Sequence, residues 1–389
     1  MTKILRLLFV LSVSFSVMLA GCSGTQGDFN SSGQETPVQE KQSIGGDQTK
    51  QGYPEDNEET DNNRTQPETT DSDGEAAAEE KEISRINMEE VRPNEVGKIM
   101  VVMFHNFIEE YKTGDKEYTT TFQDFRELLQ TLYDKDYRLI NVGDYLNNDI
   151  SVPAGCIPMI FTFDDGTSGQ FNLVEENGKL VANPQSAVGI MEEFNKDHPD
   201  FGLKGTFYVN LGLNTFEGEG TLGERMKYLT EKGFEIGNHT LTHIMLNQVK
   251  SAETIQKEIG GNQKKMYELI PGYKMVSFSL PYGLPSEELK QYVYKGEYEG
   301  VKYENLAVME VGWDPALSPV SKDFNPLSTH RVRASGIEPV DADLAWWLER
   351  LSRDEQYVSD GNADTVAVPK AKEDQVDKGK LKGKELIVY

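Results

Sequence analysis

Two short runs in this 389-residue chain hold side chains able to bind a metal ion and move a proton. Phe161-Thr162-Phe163-Asp164-Asp165-Gly166 ends an apolar run with two adjacent carboxylates and a glycine turn. Neighbouring residues on a strand face opposite ways, so both carboxylates reach one pocket only where the chain leaves the strand. So placed, they divide into a metal ligand and a general base; the plainer reading is an Asp-Gly turn with two solvated acids. Gly237-Asn238-His239-Thr240-Leu241-Thr242-His243 carries two imidazoles four residues apart, expected to meet on one face of a helical turn and to share one ion. A lone histidine is usually structural, but the chain has only five, so two at ligand spacing weigh against chance. Asp165, His239 and His243 supply one oxygen and two nitrogens with room for water, the open site used by catalytic Zn2+ or by similar ions such as Co2+ or Mn2+.

The elements that must position these groups alternate. Strands are expected at Ile99 to His105, Ile157 to Asp164, Gly205 to Asn210, Phe234 to His239, Met275 to Leu280 and Leu306 to Val311. Several are near-continuous apolar runs, as strands of a parallel sheet covered on both faces should be. Helical periodicity fills the gaps at Phe122 to Tyr133, Ala187 to Phe194, Leu222 to Lys232, Ser251 to Ile270 and Asp341 to Leu351. The order predicts an α/β fold with its parallel sheet closed into a barrel or doubly wound. Gln170 to Pro184 interrupts the rhythm, and its Asn177-Gly178 predicts a type I′ hairpin.

The amino-terminal quarter differs. Lys3 and Arg6 precede the apolar run Leu7 to Leu19, which is too short to span a bilayer comfortably and reads as a secretion signal. Leu19-Ala20-Gly21-Cys22 resembles the bacterial lipobox, which implies removal of residues 1–21, a diacylated Cys22 and a lipid-anchored protein on the outer face of the bacterial cell membrane; the alternative is an uncleaved anchor. Ser23 to Ser84 holds 16 acidic and four basic residues with almost no aromatic or branched apolar ones, the composition of a disordered, self-repelling tether. The expected organisation is therefore signal (1–21), lipidated Cys22 with acidic tether (22–95), barrel (96–350) and carboxy-terminal extension (351–389). The net charge of −26 argues against nucleic acid as a partner. With Cys22 acylated, Cys156 is left as a buried, inert thiol. The chain is expected to be a monomer.

Thr162-Phe163-Asp164-Asp165-Gly166 and His239-Thr240-Leu241-Thr242-His243 resemble the first two signature motifs of the polysaccharide deacetylases, carbohydrate esterase family four, and Val102-Met103-Phe104-His105 resembles the strand that opens their distorted (β/α) barrel. The resemblance spans residues 97 to about 335. It implies that Asp165, His239 and His243 hold the metal, that Asp164 deprotonates the attacking water, and that the substrate is an acetylated amino-sugar polymer such as peptidoglycan, poly-N-acetylglucosamine or chitin. Phe278-Ser279-Leu280-Pro281-Tyr282-Gly283 resembles the third motif, with Ser279 where the family usually has an arginine that positions the base. An arginine at 279 is expected to be tolerated. The main-chain N–H of Tyr282 still serves as an oxyanion donor, because it survives side-chain change. Trp313 in Val311-Gly312-Trp313-Asp314-Pro315 is the nearest match to the fourth motif, or else packing beneath a loop. His330 is the candidate for the acid of the fifth motif, and its neighbours Arg331-Val332-Arg333 read as a non-catalytic strand. His105 and Pro281 complete the expected pocket.

The expected activity is metal-assisted hydrolysis of an acetyl amide. A second reading, motivated by the absent arginine, is a wall lipoprotein that binds carbohydrate without turnover; intact Asp164 weighs against it. A zinc peptidase is the weakest reading, since no His-Glu-x-x-His run occurs.

Overall fold

The computed structural model describes residues 86–112, 118–334 and 341–389, so the expected signal, Cys22 and most of the tether lie outside the described residues. At the centre is an eight-stranded sheet, parallel throughout. Its strands are β1 (Met100–Phe104), β2 (Tyr137–Ile140), β3 (Ile157–Asp165), β4 (Thr206–Val209), β5 (Glu235–Asn238), β6 (Ser277–Ser279), β7 (Ala307–Met309) and β8 (Val332–Arg333). Neighbours run β7-β6-β5-β4-β3-β1-β8, with β2 beside the first half of β3 and β4 beside its second half. The sheet curls until one short segment touches both edges: Thr329 bridges Met309 of β7, and Val332 pairs with Val102 of β1.

Alternation along the strands sorts the side chains. Met100, Val102, Phe104, Met159, Phe161 and Phe163 join the core beneath the outer helices, while Ile99, Val101 and Ile160 face inward with Tyr208 and Met309. The five longest helices among the described residues are α1 (Phe122–Asp134), α2 (Ala187–Asp197), α3 (Leu222–Glu231), α4 (Ala252–Leu269) and α5 (Leu344–Arg350). Each begins where a short polar side chain accepts a main-chain N–H: Thr121, Ser186, Thr221, Ser251 and Asp343.

The expected strands and helices form, with ends shifted by up to three residues. The hairpin joins Leu173–Glu176 to Lys179–Ala182 through Asn177 (φ 52°) and Gly178 (φ 76°), both left-handed as a type I′ turn requires. Burial extends across the expected boundary at 96, since Asn94 and Glu95 are buried. Within residues 351–389, Thr365–Val368 and Glu385–Val388 form a parallel pair, and the main-chain N–H groups of Ala367 and Asp360 and the Tyr357 hydroxyl donate hydrogen bonds to the Glu95 carboxylate. β2 was not expected, whereas β8 lies where Arg331-Val332-Arg333 was read as a strand and has only two residues. Cys156 is free and buried, and burial pushes its thiol pKa up.

Candidate active site

The strands run parallel toward one mouth of the sheet, which β2 alone stops short of, and there the two sequence runs meet. Asp164 points inward from β3 and is 1% exposed. Asp165, the last residue of the strand, turns out of it with φ 81°, and Gly166 follows at φ 71°. This break lets adjacent carboxylates reach one pocket. Strain gathers around it: Thr240, His243 and Tyr282 also sit at positive φ, unusual for non-glycine residues and costly for a β-branched one.

His239-Thr240-Leu241-Thr242-His243 is not the expected helical turn. It is an irregular bend with Thr240 and His243 left-handed, and the rings still meet, their centroids 4.9 Å apart. The bend is imposed from outside. Glu258 of α4 accepts from both the N–H and the hydroxyl of Thr242 at 2.9 Å, and Asn210 donates to the carbonyls of His239 and Thr240.

Nε2 of His239 and of His243 lie 3.4 and 3.3 Å from Asp165 Oδ1, and the three groups place ligand atoms within 4.8 Å of one another. His239 Nδ1 donates to the Ser279 carbonyl at 2.8 Å, which leaves the Nε2 lone pair facing Asp165. One carboxylate and two imidazoles so oriented fit a divalent cation of the zinc type. Burial alone would lower the His239 pKa, but Asp164 and Asp165 outweigh it and raise it; burial lowers His243 and His105.

The largest departure from the sequence reading is Arg331. It is fully buried, with Nη1 2.7 Å from Asp164 Oδ1 and Nη2 2.8 Å from Oδ2. Nη2 also donates to Ser279 Oγ at 2.9 Å, Nη1 to Thr162 Oγ1 at 3.2 Å, and Nε to the Glu310 carbonyl at 2.9 Å. Ser279 Oγ in turn donates to Asp164 Oδ2 at 2.9 Å. The guanidinium that the third motif lacks thus arrives from beside β8, and the serine leaves it room. Burial would raise the Asp164 carboxyl; Arg331 overrides it and holds the group below the usual carboxylate range. Asp164 therefore stays ionised, at a cost in basicity.

The same parity displaces His330. With Arg331 inward, its neighbour faces out. The His330 ring is 49% exposed, lies 3.8 Å from Glu310, and lines a separate cavity with Lys98, Asp314 and Asn325. His105 is the histidine at the site: its Nε2 lies 3.9 Å from Asp164 Oδ2, with the Tyr118 ring edge-on at 4.9 Å. Pro281 is buried, and the Tyr282 ring lies 5.2 Å from that of His243. Trp313 is not packed beneath a loop but is 69% exposed. With Tyr118, Leu213, Met245, Tyr282 and Val311 it lies on connections that leave the mouth, all of them exposed apolar side chains.

Residues 152–301 match the family model described as polysaccharide deacetylase. This segment, which carries both the Asp164-Asp165 run and the His239-to-His243 run, is polysaccharide deacetylase-like. The Bacillus subtilis (strain 168) protein YxkH, named as a polysaccharide deacetylase, is 21% identical over 248 residues, which is 63% of this chain and 74% of YxkH. Among solved structures, the Bacillus cereus polysaccharide deacetylase BC0361 is 19% identical, with 66% of this chain and 69% of that chain covered and a TM-score of 0.47. The Streptococcus pyogenes deacetylase PplD is also 19% identical, covering 61% and 92% at a TM-score of 0.46.

Proposed function

We propose that this protein is a metal-dependent hydrolase that removes acetyl groups from an amino-sugar polymer of the cell envelope. One observation carries the reading: a carboxylate held on both oxygens by a buried guanidinium stands beside an oxygen and two imidazole nitrogens arranged for one cation. Asp165, His239 and His243 would hold that ion, with zinc favoured and cobalt or manganese as alternatives. Bound there, it supplies Lewis acidity toward the acetyl carbonyl and acidifies a water.

The chain's own residues do the rest. Asp164, aimed by Arg331 and Ser279, accepts the proton of the attacking water. The Tyr282 N–H faces the charge that develops on the carbonyl oxygen. His105, rather than His330, returns the proton to the leaving amine; its 3.9 Å from Asp164 is looser than a hydrogen bond, as catalytic pairs without substrate often are. The exposed apolar side chains around the mouth suit the faces of several sugar rings, which favours a polymer. The reading of an inactive binder loses its motive, since Arg331 stands in for the absent arginine. Attachment through diacylated Cys22 would place the enzyme on the outer face of the membrane, because two acyl chains anchor where one does not; Cys22→Ser that still fractionates with membranes would contradict it.

The test is acetate release by the full chain from acetylated peptidoglycan, chitin oligomers and poly-N-acetylglucosamine, before and after chelation. Release abolished by chelator and restored by metal supports the reading. No release from any of the three with metal supplied overturns it.

A further inference from the structure

We propose that Gln170 is a positioning residue that fixes His105 against Asp164 and thereby governs proton delivery to the leaving group. The proposal rests on the deacetylase reading above.

Gln170 is fully buried, and its Nε2 donates to two main-chain carbonyls, that of His105 at 2.6 Å and that of Asp164. These belong to adjacent strand ends. β1 and β3 stay in register as far as Phe104 opposite Phe163; one residue on, β1 has ended while β3 continues beside β4, so His105 and Asp164 are no longer paired. The amide sits across the split. Gln170 is itself held in place: its N–H donates to the Thr167 carbonyl at 3.1 Å, and its carbonyl accepts from the Val188 N–H at the start of α2 at 3.1 Å. Gly169 lies so close to the Phe107 carbonyl that a Cβ there would come within 2.2 Å, so this loop has little freedom to shift.

The two clamped residues depend on Gln170 unequally. Asp164 is also held through both carboxylate oxygens by Arg331 and by Ser279. A working histidine is usually oriented through its second ring nitrogen. His105 Nδ1 is buried with no partner among the described residues. Its ring placement therefore rests on the main chain that Gln170 grips at 2.6 Å, with a longer contact of 3.4 Å from the Thr167 hydroxyl, and on the Tyr118 edge. Loosening the clamp moves the acid and spares the base.

This asymmetry gives a readout that a structural role would not move. A sugar amide must have its nitrogen protonated to leave, whereas 4-nitrophenyl acetate expels a stable anion that needs no acid. Gln170→Met keeps the side chain's length and removes both donors; Gln170→Asn keeps an amide but retracts it, and carries the same comparison if the first variant does not fold. The expected result is a loss of about 10²-fold in kcat/KM for an N-acetylated chitin oligomer, with 4-nitrophenyl acetate hydrolysis and bound metal retained. Equal losses on both substrates, or an unchanged amide rate, overturn the role of Gln170 while the deacetylase reading stands. A wild-type chain that cleaves the aryl ester but no sugar amide overturns the deacetylase reading and this proposal with it.

Discussion

Arg331→Met removes the guanidinium that pairs with both oxygens of Asp164. The variant loses five hydrogen bonds from the guanidinium and strands a carboxylate that is 1% exposed, with the Ser279 hydroxyl as its remaining side-chain donor. Breaking a buried ion pair by removing one partner costs about 3–5 kcal/mol, which for a domain of this size lowers Tm by about 10 °C. Activity falls by at least about 10²-fold, as when a general base is lost. In the wild type the depressed Asp164 carboxyl contributes stability that is complete above its unfolded pKa of about 4 and is lost only as pH falls through the folded value. In the variant, with the largest opposing influence gone, burial is expected to raise the same carboxyl. The sign reverses, so the penalty is absent below about pH 4 and grows as pH climbs toward the raised value. The stability gap between the two proteins should therefore narrow from neutral pH toward about pH 4, read by urea unfolding of metal-free protein. Adding Asp164→Asn to Arg331→Met should recover stability without activity. A single variant that melts like wild type, or a double variant no more stable than the single, would refute the ion pair as described.

Ser279→Arg should destabilise the fold and abolish acetate release, contrary to the sequence expectation, because the fully buried Ser279 Oγ lies 2.9 Å from Arg331 and the pocket has no room for a second guanidinium; a folded, active variant would show otherwise. His105→Gln should cost about 10²–10⁴-fold in amide hydrolysis while His330→Gln stays near wild type, and steady-state assays that reverse the ranking restore His330 as the acid. Glu95, pushed up to about 8 by burial and by Asp360, holds a proton in the folded state that the unfolded chain gives up at lower pH. Its contribution is lost as pH rises toward about 8, so urea stability should decline over that range and Glu95→Gln should flatten the decline.

The two runs that form the candidate site were legible because each sits in contiguous sequence: an apolar strand ending in two carboxylates, and two histidines at ligand spacing. Arg331 was hidden because its strand is short and polar, and it reaches Asp164 across 167 residues. Period-two alternation could have found it, since an inward arginine beside an outward His330 is one register choice and the reverse is the other. The bend at His239 to His243 was misread as helical because Glu258 and Asn210, which impose it, are remote in the chain. Glu95 shows the same limit, for only the folded chain reveals that residues 351–389 complete its shell.

Two adjacent aspartates acting as ligand and base are separated by one paired measurement: metal content and acetate release on the same preparations of Asp164→Asn and Asp165→Asn. Asp165→Asn takes an anionic ligand from the histidine pair, so metal and activity should fall together. Asp164→Asn leaves the three ligands in place, so metal should stay while turnover drops by about 10²–10⁴-fold. Equal metal loss in the two variants, or full activity in Asp164→Asn, would contradict the account.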